Sequence, residues 1–183
     1  MLQVEKLTVY YQTTKGEVQA LEDATFTIAD GEIMGLAGES GCGKTTLGHC
    51  LISLVPPMKQ ISGKVLLDGK DLPISDSAKM DKYRFKKVSI IPQYAMNAMN
   101  PIRKIGKIAE DLLKAKKEDF QARLPEIKRR LDLVKLPHEV LDMYPIELSG
   151  GMKQRMVMVL STLLDPSLLI ADEITSALDV ASQ

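Results

Sequence analysis

No stretch of this chain approaches the roughly 20 consecutive apolar residues that a membrane-spanning helix requires. Met1 runs straight into the alternating stretch Leu2-Gln3-Val4-Glu5-Lys6-Leu7, not into the charged-then-apolar pattern of a secretory leader. The expectation is a chain without a signal peptide, whose membrane role comes through a partner. Cysteine is scarce: Cys42 and Cys50 lie eight apart, with no CxxC pair and no histidine cluster. That argues against zinc and against a disulfide framework, and fits a reducing compartment. His49 and His138 are isolated from each other and from the cysteines, and read as structural or solvated. An excess of either charge is also missing, since 24 Lys and Arg balance 24 Asp and Glu. Without a basic field, direct binding to nucleic acid is not expected. Internal repeats and low-complexity tracts are absent as well. What is there, 183 residues of which 45% are apolar, suffices for one domain with a real core, or a core with a small inserted lobe.

The first third reads as β structure. Residues 2–11 alternate, residues 18–28 form a second strand-prone stretch, and Asp30-Gly31 makes a turn. Residues 32–37 (EIMGLA) read as a short apolar strand, followed by a Gly-rich loop and a helix over residues 45–55 that stops at Pro56-Pro57. Residues 62–67 and 88–91 (VSII) are further strands. From residue 102 to 143 charged helical patterns take over, with Ile105, Ile108, Ala109, Leu112 and Leu113 on one face. Pro125 is awkward there unless it sits near a helix start. Residues 152–164 look helical, and residues 168–171 (LLIA) form a last buried strand.

Three segments carry chemistry. Gly38-Glu39-Ser40-Gly41-Cys42-Gly43-Lys44-Thr45 satisfies G-x4-G-K-[ST], between an expected strand and an expected helix. Glycines let backbone N–H groups turn inward as an anion nest, and the helix N-terminus adds positive potential. Lys44 would bridge β- and γ-phosphates, and Thr45 would ligate Mg²⁺. The strand Leu168-Leu169-Ile170-Ala171 ends in Asp172 and Glu173, two carboxylates at the sheet edge where ligands of α/β proteins gather. Asp172 would hold Mg²⁺ through water, and Glu173 would polarise an attacking water. Alone, this pair reads equally well as a solvated acidic turn. Ser149-Gly150-Gly151 opens a helix, and is by local physics either a plain cap or a second anion-binding terminus.

Together these segments resemble ABC-type ATPases. LSGGMKQR resembles their signature motif, GESGCGKTT with Thr46 their Walker A loop, LLIADE their Walker B strand, and Ser176-Ala177-Leu178-Asp179 their D-loop. Gln93, after VSIIPQ, matches the Q-loop glutamine, and Tyr11 is the best match for the aromatic that stacks on adenine, with Tyr10 as the alternative. The resemblance spans nearly the whole chain. It implies an α/β fold: a P-loop NTPase core on a RecA-like parallel sheet, an N-terminal antiparallel β subdomain and an inserted helical lobe. The bounds expected are 1–93 for the β subdomain and first part of the core, 94–165 for the lobe with its signature helix, and 166–183 for the Walker B strand and D-loop. It further implies ATP and Mg²⁺ as cofactors, with Lys44, Gln93 and Glu173 catalytic and Thr45, Gln93 and Asp172 toward the metal. ABC domains pair head to tail, so Ser149, Gly150, Gly151 and Asp179 would contact nucleotide held by a second ABC ATPase subunit, identical or paralogous. YPIELSGGMKQRM, DPSLLIADE and IIPQYAMNAMNP are similar to oligopeptide and dipeptide importer ATPases, and to nickel importers. The implied setting is cytoplasmic, peripheral on the inner face of the membrane beside transmembrane permease subunits, with peptide as the favoured cargo.

The sequence also departs from the family. Ile174 stands where members usually have Pro. Cys42 fills a variable loop position, either as a thiol activated by the helix terminus or as a tolerated small residue. Members continue past the D-loop into further core strands, one ending in a histidine toward the γ-phosphate. This chain ends at Gln183, so the expectation is a piece of a longer protein with the C-terminal core strands missing. Two alternatives stand: a module that binds ATP without turning it over, and a soluble ABC ATPase of translation or DNA repair. About a hundred residues separate Walker A from the signature without sustained heptads, unlike the coiled coils of repair members.

Overall fold

The computed structural model describes residues 1–93 and 99–173. They belong to two units, Met1–Arg84 and Phe85–Gln183.

In the first unit the opening alternation folds as β1 (Leu2–Thr13), which pairs antiparallel with β2 (Gly16–Ile28) and β3 (Met58–Leu67); a short β4 (Lys70–Asp71) completes the order β2-β1-β3-β4. The pairing with β2 shifts register three times, first between Val4 and Leu7. Leu2 and Val4 are buried at even positions, Leu7 and Val9 at odd ones, and the first shift falls at Lys6, whose φ of 48° marks a bulge. Each of these side chains contributes roughly 1.5–3 kcal/mol by burial. Helix α1 (Lys44–Ile52) buries Leu47, Cys50 and Leu51, the i, i+3, i+4 stripe of a helix lying on a core. Helix α2 (Ser77–Met80) is one turn, capped by Asp76 through the Lys79 amide at 3.0 Å.

One expected strand is not there. Residues 32–37 run as irregular chain, with Ile33 97% and Leu36 55% exposed. An apolar run becomes a strand only where a neighbour supplies ladder hydrogen bonds, and among the described residues none pairs with it.

In the second unit β5 (Val88–Ile91) and β6 (Leu168–Ala171) pair in parallel. Three helices, α3 (Ile105–Ala115), α4 (Phe120–Leu133) and α5 (Gly150–Thr162), lie between these two strands in sequence, so the helical lobe is an insertion between neighbours of the sheet. Its core is a regular stripe: Ile105, Ala109 and Leu113 of α3 meet Ile127 and Leu131 of α4 and Met156 of α5, all fully buried. Pro125 lies inside α4, where it removes one backbone hydrogen bond, yet the helix continues to Leu133. The Asp119 cap, accepting from the Ala122 amide at 2.7 Å, and the buried residues beyond the proline offset that loss. Helix α5 is tied near its middle and at its C-terminal end. Arg155 donates to the carbonyls of Val134 and Lys135 at 3.1 and 3.2 Å, and Arg130 donates to the Thr162 carbonyl and Asp165 at 2.7 and 2.6 Å.

Candidate functional site

The candidate residues fall into two sets, one in each unit. In the first, Gly38, Ser40, Gly41 and Cys42 form an exposed loop that turns on a hydrogen bond from the Cys42 amide to the Glu39 carbonyl at 3.3 Å. Gly41 and Gly43 hold φ of 82° and 93°, the left-handed region in which a Cβ is crowded. Gly43 is constrained twice, because a Cβ there would stand 2.6 Å from the Ala20 carbonyl oxygen of β2. Gly43 also ends the loop as the N-cap of α1, and makes no side-chain cap to the helix. The first N–H groups of a helix have no intrahelical acceptor, so the turn formed by Lys44, Thr45 and Thr46 presents an electropositive end. Lys44 folds back over the loop, its Nζ donating to the carbonyls of Gly38 and Glu39 at 2.9 and 2.6 Å and lying 3.6 Å from Cys42 Sγ. A backbone nest with one ammonium across it is a receptor for a polyphosphate. The two thiols differ: Cys42 is exposed, whereas burial pushes the Cys50 thiol up to about 12, and its Sγ donates to the Leu47 carbonyl. Tyr11 reaches the same turn, its hydroxyl 2.8 Å from Thr46 Oγ1.

In the second unit the parallel register decides the geometry. Val88 pairs with Leu168 and Ile91 with Ala171, so Gln93 and Glu173 leave the same end of the sheet opposite each other. Gln93 Nε2 donates to Glu173 Oε2, and the Asp172 amide extends the ladder to the Ile91 carbonyl at 3.0 Å. Glu173 stands at φ 47°, a left-handed conformation that costs a non-glycine residue on the order of 1–2 kcal/mol and gathers at functional sites. Among the described residues no three His, Cys, Asp or Glu side chains could hold a metal by themselves. In the first unit the Thr45 hydroxyl, and separately in the second the Gln93 amide oxygen and the Asp172 carboxylate, are hard oxygen donors of the kind Mg²⁺ takes.

Helix α5 opens at Ser149, whose Oγ accepts from the Met152 amide at 3.3 Å, with Gly150 and Gly151 as its first residues. Gly151 has ordinary helical space around it: a Cβ there would meet nothing within 4 Å. Arg155, which the sequence reading left out of the site, ties α5 to the carbonyls at the end of α4. Asp179 and Ile174 lie outside the described residues, as do residues 94–98 after Gln93.

Comparison with known proteins bears on the family and the fold. The chain is 38% identical to the oligopeptide transport ATP-binding protein OppD of Haemophilus influenzae and to the dipeptide transport ATP-binding protein DppD of Bacillus subtilis. In each case all of this chain aligns, with 58% and 56% of the relative. The OppD of Escherichia coli is 36% identical, with 55% of its length covered, so the chain spans little more than half the length of these relatives. Among solved structures, the dimeric bacterial ABC transporter cassette MJ0796 superposes with a TM-score of 0.81 at 24% identity, over 100% of this chain and 78% of that one. The same cassette bound to ADP and Pi gives 0.80 at 23% identity, again over 100% of this chain and 78% of that one. At that identity the likeness speaks for the α/β fold alone. The family model for the ABC transporter matches residues 21–176, through phosphate loop, signature helix and β6, and the chain belongs to that family.

Proposed function

We propose that this chain is the ATP-binding part of an importer, one that couples ATP binding and hydrolysis to the uptake of peptides. The observation that carries the reading is the loop before α1: two left-handed glycines, an N-terminus with no side-chain cap, and Lys44 folded across it. Lys44 exchanges its loop carbonyls for the β- and γ-phosphates, because its ammonium pairs more strongly with an anionic phosphate oxygen than with a neutral carbonyl. Thr45 from the first unit, and Gln93 and Asp172 from the second, would serve as the oxygen donors toward Mg²⁺, which would neutralise phosphate charge. Glu173 orients the attacking water, and the Gln93 amide holds that carboxylate in place. Ser149, Gly150 and Gly151, with Asp179, face the nucleotide of a second ATPase subunit, and closure of the pair is passed to permease subunits in the membrane. Cytoplasmic placement against the inner face follows from that role. Peptide cargo is supported by the names of the relatives, oligopeptide and dipeptide transport proteins.

The test has two parts. Equilibrium binding of ATP with Mg²⁺ is expected for the chain and should weaken roughly tenfold or more in Lys44→Ala, the loss of a charge-assisted contact. ATP turnover, measured as phosphate release, should fall about a hundredfold or more in Glu173→Gln while binding persists. Binding that ignores Lys44, or turnover that ignores Glu173, removes the assigned roles.

A further inference from the structure

We propose that Tyr11 is a positioning residue for the phosphate-binding turn, acting through the Thr46 hydroxyl, in a role separable from any contact of its ring with a base. The inference rests on the reading of the loop as an ATP site. Tyr11 lies on β1, opposite Val18 of β2, and its hydroxyl is 2.8 Å from Thr46 Oγ1 across 35 residues of sequence. Thr46 is the third residue of α1. Three residues earlier, Gly43 packs so tightly on the Ala20 carbonyl of β2 that no side chain fits between them. The first turn of α1 is therefore fastened at two points to the same pair of strands, with Lys44 and Thr45 between the fastenings. A backbone nest binds phosphate only when its N–H groups already point inward, because reorienting them on binding costs affinity. The phenol supplies that orientation from its edge, whereas stacking would use its face, so one side chain serves both without competition.

The experiment uses inorganic tripolyphosphate, which has no base to stack, beside ATP on the full chain by titration calorimetry. Tyr11→Phe keeps the ring and removes the hydroxyl; Thr46→Val removes the partner; Thr46→Ser restores it. Tyr11→Phe and Thr46→Val should each weaken tripolyphosphate binding roughly two- to tenfold, as expected for one hydrogen bond. The double variant should be no weaker than either single one, and Thr46→Ser should bind like the unaltered chain. Amide exchange at Leu47, whose N–H donates to the Gly43 carbonyl at 2.9 Å, should quicken in Tyr11→Phe while that of β1 does not, which separates positioning from loss of fold. Unchanged tripolyphosphate binding in Tyr11→Phe, or full additivity in the double variant, overturns the proposal and leaves the ATP reading standing. If the unaltered chain binds neither ligand, the ATP reading falls and this proposal with it.

Discussion

At the scale of single residues, Gly43 shows how little tolerance the phosphate loop has. Its φ of 93° and its approach to the Ala20 carbonyl act together, so Gly43→Ala meets both backbone strain and a clash with main chain that cannot swing away. A loss of about 1–3 kcal/mol in urea unfolding is expected, along with loss of ATP affinity. Glu126 offers a test by pH. Its carboxylate accepts from Arg129 and Arg130, and this holds it down at about 2, against an ordinary 4.5. The unfolded chain takes up that proton first. The stabilisation is therefore complete above about pH 4.5 and is lost as the pH falls from there toward 2. Acid unfolding followed by circular dichroism should show Glu126→Gln losing less stability than the unaltered chain across that window. The residues of the loop were legible because their spacing is local. The bond from Tyr11 to Thr46 was not, since nothing in the sequence says which strand α1 will lie on.

Among the elements, strands VSII and LLIA were readable from their apolar runs and their stops. Their mutual register was not, although that register sets Gln93 opposite Glu173. Residues 32–37 have the same apolar character and form no strand, because strand formation depends on a neighbour and not on the run itself. The ties on α5 illustrate the same dependence. Arg155 reaches two carbonyls at the end of α4, so Arg155→Ala should cost about 1–2 kcal/mol in urea unfolding and speed amide exchange in α4 and α5. Gly151 works the other way. Its Cβ space is open, and glycine costs a helix roughly 0.5–1 kcal/mol relative to alanine, so Gly151→Ala should raise stability by about that amount. Thermal unfolding measures it.

The whole-molecule consequence follows from that same glycine. Nothing within the described residues needs position 151 to be bare, so under the proposed pairing the demand comes from outside the chain. Light scattering should then show ATP doubling the mass of Glu173→Gln, in which bound ATP persists. Adding Gly151→Ala should abolish that doubling while ATP binding remains. Doubling that survives the alanine would remove the signature turn from the interface.

The sequence by itself determined the family, the Gly-rich turn before α1, the acidic end of β6 and the Ser149 cap of α5, because each is legible in residue types at fixed local spacing. Tertiary structure decided the rest. It set the offset that brings Gln93 to Glu173, the fastening of α1 to β1 and β2, the arginine ties on α5, and the exposed course of residues 32–37. The physical reason is common to all four: each depends on a hydrogen bond or packing partner distant in sequence, and a local pattern states what a segment can bury or donate, never what will meet it.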